Sequence, residues 1–195
     1  MKRLKVALAG KPNSGKSSLF NQLTGLKQKT GNFPGVTVDK KTGTTRLDEN
    51  TLADVIDLPG IYSLYPRSLD EKIVAGIFSD RHNDYFPNKV VLVADATNLQ
   101  SSLLLLTQLI DLRLPTVLVL NMVDLAAKSG QNIDVIKLSI QLDVPVVLVN
   151  ARTGQGIDKL KKILAGHLPV SHQKVYAIDK EILPAVGYLE GYPGH

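Results

Sequence analysis

Residues 10–17 read Gly10-Lys11-Pro12-Asn13-Ser14-Gly15-Lys16-Ser17, followed by Ser18, and so satisfy G-x-x-x-x-G-K-[ST]. The glycines allow a tight loop whose backbone N–H groups converge on an anion, and a helix starting there adds the positive end of its dipole. Lys16 can bring a point charge to the β- and γ-phosphates of a nucleotide, and the Ser17 hydroxyl can ligate Mg²⁺. The competing reading is a plain glycine turn before a helix.

Three further groups are weak alone, because a D-x-x-G or N-x-x-D arises by accident about once in a chain this long. Order and placement carry them. Asp57-Leu58-Pro59-Gly60 ends an apolar run, where the carboxylate would face Mg²⁺ through water and Gly60 leaves its N–H open to a γ-phosphate. Asn121-Met122-Val123-Asp124 ends another run. A carboxylate there accepts from guanine N1–H and the exocyclic amine; adenine lacks that donor pair, which disfavours a P-loop kinase or ATPase. Asn150-Ala151-Arg152 follows the last apolar run and offers a backbone N–H to the guanine carbonyl. Between the first two motifs lies the glycine-rich stretch Thr30–Val38, holding Pro34, Gly35, Val36 and Thr37. It reads as a loop that closes when Thr37 ligates the metal beside a γ-phosphate, and so as a switch.

These residues need a scaffold that brings them to one edge. Leu4–Ala9, Ala53–Ile56, Val90–Ala94, Thr116–Leu120 and Val144–Val149 are apolar without alternation, as strands buried on both faces are. The more polar Val38–Leu47 reads as an edge strand. Helical patterns occupy Ser17–Leu23, Leu69–Phe78, Leu99–Leu112, Val135–Leu142 and Ile157–His167. The alternation predicts an α/β fold of the P-loop NTPase, small-GTPase-like type. Its mostly parallel six-stranded sheet has helices on both faces and ligands beyond the carboxyl ends of the strands.

Composition agrees with that picture. The chain has 195 residues, 44% hydrophobic and 21% charged, close to globular averages. No cysteine is present, which excludes a disulfide scaffold, an iron–sulfur cluster and a Cys-based zinc site, and fits a reducing compartment. The longest apolar runs fall well short of the ~18 residues that span a bilayer, and the start MKRLKVALAG leads into a glycine loop where a signal peptide needs a longer core. The net charge of +5 suits a nucleotide's phosphates, a membrane surface or RNA. Few aromatics accompany it, so no nucleic acid partner is expected. After His167 no further strand follows, and Pro184 interrupts the helical pattern near Asp179. Residues 1–168 are therefore read as one domain and 169–195 as the truncated start of a second, helical one. His167, His172 and His195 read as a scattered surface set.

In this order the motifs resemble the translation-factor-like small GTPases, and within them the cytosolic G domain of the FeoB ferrous-iron transporters. The resemblance rests on GKPNSGKSSLFNQLTG at 10–25, GNFPGVTVDKKTG at 31–43, DLPGIYSL at 57–64, DATNL at 95–99 and NMVDLA at 121–126, and covers about residues 3–167. It implies GTP and GDP as substrate and product, Mg²⁺ on Ser17, Thr37 and Asp57, and catalysis by Asn13, Lys16, Thr37 and Gly60. It also implies an attached helical domain and a permease in the bacterial inner membrane, with this part on the cytoplasmic side. Oligomeric state stays open, a homo-oligomer included. In related GTPases the asparagine matching Asn13 helps hold a K⁺ ion, which here would also meet carbonyls near Asn32 and Phe33. Ile61 stands where many signalling GTPases orient water with glutamine, so slow, K⁺-stimulated hydrolysis is expected. Lys11 and Asn150 depart from the family's usual Asn and Ser. A soluble ribosome-assembly GTPase that binds RNA is the alternative.

Overall fold

The computed structural model describes residues 1–26 and 28–171. Strands β1 (Lys2–Gly10), β4 (Thr51–Asp57), β5 (Lys89–Asp95), β6 (Thr116–Asn121) and β7 (Val146–Leu148) run parallel. Strands β2 (Gln28–Asn32) and β3 (Asp39–Arg46) add an antiparallel hairpin, giving the order β2-β3-β4-β1-β5-β6-β7. Helices α1 (Lys16–Thr24), α2 (Leu69–Ser79), α3 (Gln100–Asp111), α4 (Val123–Lys128), α5 (Val135–Leu142) and α6 (Ile157–Ala165) complete the fold.

The sheet thus has seven strands, one more than the sequence predicts, and β3 lies inside the edge with β2 outside it. The missed strand, QKTGN, is exposed at every position, so it carries no hydrophobic period; the β3 ladder defines it. Helix α4 was also unmarked, being six residues with one buried side chain. The helical domain expected from residue 169 lies almost wholly outside the described residues.

The pleat divides the core. Ala7, Ala9, Ile56, Val90 and Leu92 face α2, α3 and α5, whereas Val6, Leu8, Val91, Val93 and Val119 face α1 and α6, where Leu19, Phe20, Leu160 and Leu164 are fully buried. Each such side chain contributes about 1.5–3 kcal/mol by leaving water. The parallel strands deliver the ends of β1, β4, β5 and β6 to one edge, and that edge carries the motifs.

Candidate nucleotide-binding site

The phosphate loop leaves β1 at Gly10 and enters α1 at Lys16. Asn13 (φ 65°) and Gly15 (φ 85°) both adopt left-handed backbone. At Gly15 a Cβ would collide with the Asn121 carboxamide, so the loop tolerates only glycine there. Lys16, Ser17, Ser18, Lys11, Pro12, Asn13 and Gly60 line a cavity of ≈ 460 Å³, with Asp70 at its rim. A larger groove of ≈ 630 Å³ lies elsewhere, around the Arg3–Asp54 ion pair, and holds none of the motif residues.

Two of these lining residues converge on Asp57: Lys16 Nζ donates to Asp57 Oδ1 at 2.7 Å, and Ser17 Oγ donates to Asp57 Oδ2 at 3.0 Å. Asp57 is buried at the end of β4, opposite Lys41 of β3. The Ser17 hydroxyl thus stands beside a carboxylate, a pair of hard oxygens that suits Mg²⁺, with Ser17 placed to ligate the ion and Asp57 to hold a water on it. Beyond Asp57 the chain hugs the phosphate loop: Leu58 and Ile61 donate their N–H groups to the Leu8 and Gly10 carbonyls at 3.1 Å. A Cβ on Gly60 would stand 2.9 Å from Pro12 N and Cγ, a closer reason for glycine than an open N–H alone. Pro59 lies in the irregular chain between Leu58 and Gly60, just past the end of β4. Ile61 is fully buried, so that side chain presents nothing to a water molecule in the cavity.

The chain then reaches α2 through a capping box. Ser68 Oγ accepts the Glu71 N–H at 3.2 Å, while Glu71 Oε2 accepts the Arg67 and Ser68 N–H groups at 3.0 and 3.2 Å. The Arg67 N–H, with those of Tyr62, Ser68 and Ser63, holds the Glu71 carboxyl below the usual carboxylate range against the opposing effect of burial. Gln108 of α3 accepts the Leu64 N–H at 2.7 Å, pinning the segment to the body.

Thr37 is exposed and makes no hydrogen bond to Ser17 or Asp57 among the described residues. Its loop closes on itself: Phe33 N–H donates to the Val38 carbonyl at 3.0 Å, and Val36 N–H to the Phe33 carbonyl at 3.2 Å. Gly35 is left-handed within it (φ 76°). The sequence joins Thr37 to the metal residues; the structure leaves it exposed in the segment between β2 and β3, without a hydrogen bond to them.

The base-side residues meet through one side chain that sequence reasoning assigned only to nucleotide contact. Buried Asn121 donates from Nδ2 to the Ser14 carbonyl at 3.0 Å and accepts the Ala151 N–H on Oδ1 at 3.0 Å. It thereby stitches the phosphate loop to the loop after β7. The Ala151 N–H, expected to meet a guanine carbonyl, is donated to Asn121 here. Asn150 Oδ1 accepts the Arg152 and Thr153 N–H groups at 3.0 and 3.3 Å, so this side chain shapes its own loop. Met122 is left-handed (φ 62°) and turns the chain into α4, placing Asp124 half-buried in its first turn. Among the described residues nothing hydrogen-bonds or pairs with the Asp124 carboxylate, which leaves it available to a base.

A family model for ferrous iron transport protein B matches residues 4–164. The chain belongs to that family. It is 44% identical over 174 residues to the Fe(2+) transporter FeoB of Leptospira biflexa serovar Patoc, covering 89% of this chain and 25% of that protein. The chain therefore spans about a quarter of the length of the curated FeoB relatives it matches. Among solved structures, the G domain of the T. maritima FeoB iron transporter superimposes with a TM-score of 0.76 at 42% identity, covering 84% of this chain and 98% of that one. The cytosolic domain of the same transporter in its GMPPNP form gives 0.79 at 39% identity, covering 93% and 73%. FeoB membership leaves the ribosome-assembly reading without support. Among the described residues no helix is long and apolar enough to cross a membrane, and no group of three or more His, Asp or Glu gathers as a metal cluster.

Proposed function

We propose that this FeoB-family domain binds GTP and hydrolyses it to GDP and phosphate, and that its switch segments signal the bound nucleotide to a ferrous-iron permease on the cytoplasmic side of the bacterial inner membrane. The observation that carries the reading is the convergence on Asp57 of Lys16 and Ser17, which line the phosphate-loop cavity. The GMPPNP form of the T. maritima relative supports it.

In the proposed cycle Gly10–Ser18 wraps the phosphates, Lys16 exchanges Asp57 for the β- and γ-phosphates, and Ser17, Asp57 and Thr37 provide oxygens for Mg²⁺. That ion supplies charge neutralisation at the transferring phosphoryl group. Gly60 N–H approaches the γ-phosphate, and closing of Gly35-Val36-Thr37 shields the site from bulk solvent while the one attacking water stays inside. Asp124 reads guanine N1–H and N2–H, with Asn121, Met122 and Asn150-Ala151-Arg152 shaping the base pocket. Asn13, exposed on the cavity rim, would hold K⁺ with carbonyls near Asn32 and Phe33; the Phe33 carbonyl accepts Val36 N–H in this structure and has a second lone pair. Buried Ile61 is consistent with slow hydrolysis. On this reading residues 1–168 are the nucleotide-binding unit and 169–195 the start of a truncated helical one.

Competition binding tests this. GTP should displace a labelled guanine nucleotide where ATP does not, and Asp124→Ala should weaken GTP roughly 100-fold while leaving ATP unchanged. Equal competition by ATP, or undiminished GTP affinity in the variant, rejects guanine recognition.

A further inference from the structure

Both ends of the Thr37 loop touch one side chain outside every motif. At its start Phe33 is almost fully buried, edge-on to the Tyr85 ring at 5.6 Å between centroids and 83° between planes. At its end Lys40, paired with Gly31 in the β2–β3 ladder, places Nζ 4.7 Å from the centre of the same ring and donates to the Tyr85 hydroxyl at 2.8 Å. The neighbouring Lys41 is the β3 residue opposite Asp57.

Tyr85 itself stands on an anchored segment between α2 and β5. Asn83 Oδ1 accepts the Tyr85 N–H at 2.9 Å, and the Asn83 carbonyl accepts the Phe86 N–H at 2.9 Å. Lys5 of β1 fastens the segment three times: its Nζ donates to the Asp84 carbonyl at 2.6 Å, its N–H to Asn88 Oδ1 at 2.7 Å, and its carbonyl accepts the Asn88 N–H at 2.8 Å. The ring thus stands on a segment fastened to the central strand of the sheet.

We propose that Tyr85 is a positioning residue for GTP hydrolysis, tying both ends of the switch loop so that only residues 34–39 move when Thr37 goes to the metal. This rests on the reading of Thr37 as a Mg²⁺ residue used with GTP and not with GDP. Fixed ends shorten the mobile segment and lower the ordering entropy of the closed loop. Freed ends would let the whole β2–β3 connection fluctuate, and each closure would order more chain. The effect is selective, because GDP does not require the loop to close.

The test compares Tyr85→Ala, Tyr85→Phe and Lys40→Met in the full chain, measuring affinity for GDP and for a non-hydrolysable GTP analogue with Mg²⁺, together with kcat. Tyr85→Ala should weaken the analogue about 3- to 10-fold and lower kcat, with GDP affinity unchanged, the size expected when about one more residue must be ordered at each closure. Tyr85→Phe, which keeps the ring, should retain most of the selectivity. An unchanged ratio, equal weakening of both nucleotides, or tighter analogue binding overturns the proposal. Should Tyr85→Ala lose GDP binding through misfolding, the same ratio read on Lys40→Met decides. Thr37→Ala is run alongside: if it leaves the analogue's affinity intact, the reading of Thr37 fails, whatever Tyr85 does.

Discussion

Lys16 Nζ lies 2.7 Å from Asp57 Oδ1, a buried ion pair joining the phosphate loop to the end of β4. The same two groups that are proposed to serve phosphate and metal hold each other. Removing one partner leaves a buried charge unpaired, which costs about 3–5 kcal/mol, whereas removing both costs far less. Lys16→Met should therefore lower the melting temperature of the nucleotide-free chain, and the Lys16→Met/Asp57→Asn double variant should recover most of it. Neither should bind GTP. Additive losses in thermal unfolding would show that the pair is not coupled.

Asn121 and Thr37 should separate two kinds of affinity. Asn121→Ala cuts the link from Ser14 to Ala151, so GDP and GTP analogue should weaken together, by roughly 10-fold or more for two buried hydrogen bonds. Thr37→Ala should weaken the analogue alone. Titration of each variant with both nucleotides in Mg²⁺ measures this, and a selective loss in Asn121→Ala would contradict it.

For Asn13, hydrolysis is compared in KCl and NaCl at matched ionic strength. The chain should turn over faster in KCl, and Asn13→Ala should abolish the difference while leaving nucleotide binding largely intact. Stimulation that survives in the variant would exclude Asn13 as the K⁺ residue.

Glu71 makes a pH prediction. Its carboxyl is held below its ordinary value by the Arg67 N–H first, so its capping contribution is present above the unfolded-state value and is lost as pH falls through the lower folded value. At neutral pH Glu71→Gln should melt roughly 2–4 °C below the parent. The gap should close as the solution is acidified below the carboxylate range. A gap that persists in acid would point to packing and not to charge.

How much of this was legible in the chain itself follows from where each signal resides. The phosphate loop, Asp57-Leu58-Pro59-Gly60 and Asn121-Met122-Val123-Asp124 are short-range patterns, each tied to the end of a strand whose continuous apolar run marks it as buried. Local chemistry therefore determined the parallel sheet, the helices on both faces and the edge at which the motifs collect. Strand β2 was invisible because its five residues are exposed and polar, and only the hydrogen-bond ladder with β3 defines it. Asn121 could be assigned to a base contact from its motif, but its bridge joins residues 107 and 30 positions away. Gly60 was read for an open N–H, while the nearer constraint is Pro12, 48 positions earlier in the chain. Tyr85 belongs to no pattern at all. Its role depends on Phe33 and Lys40 meeting one ring, a contact set by the way β3 lies beside β4 and the α2–β5 segment is fastened to β1. Sequence specifies which atoms can do chemistry; the distances at which they do it are set by long-range packing, which no local period encodes.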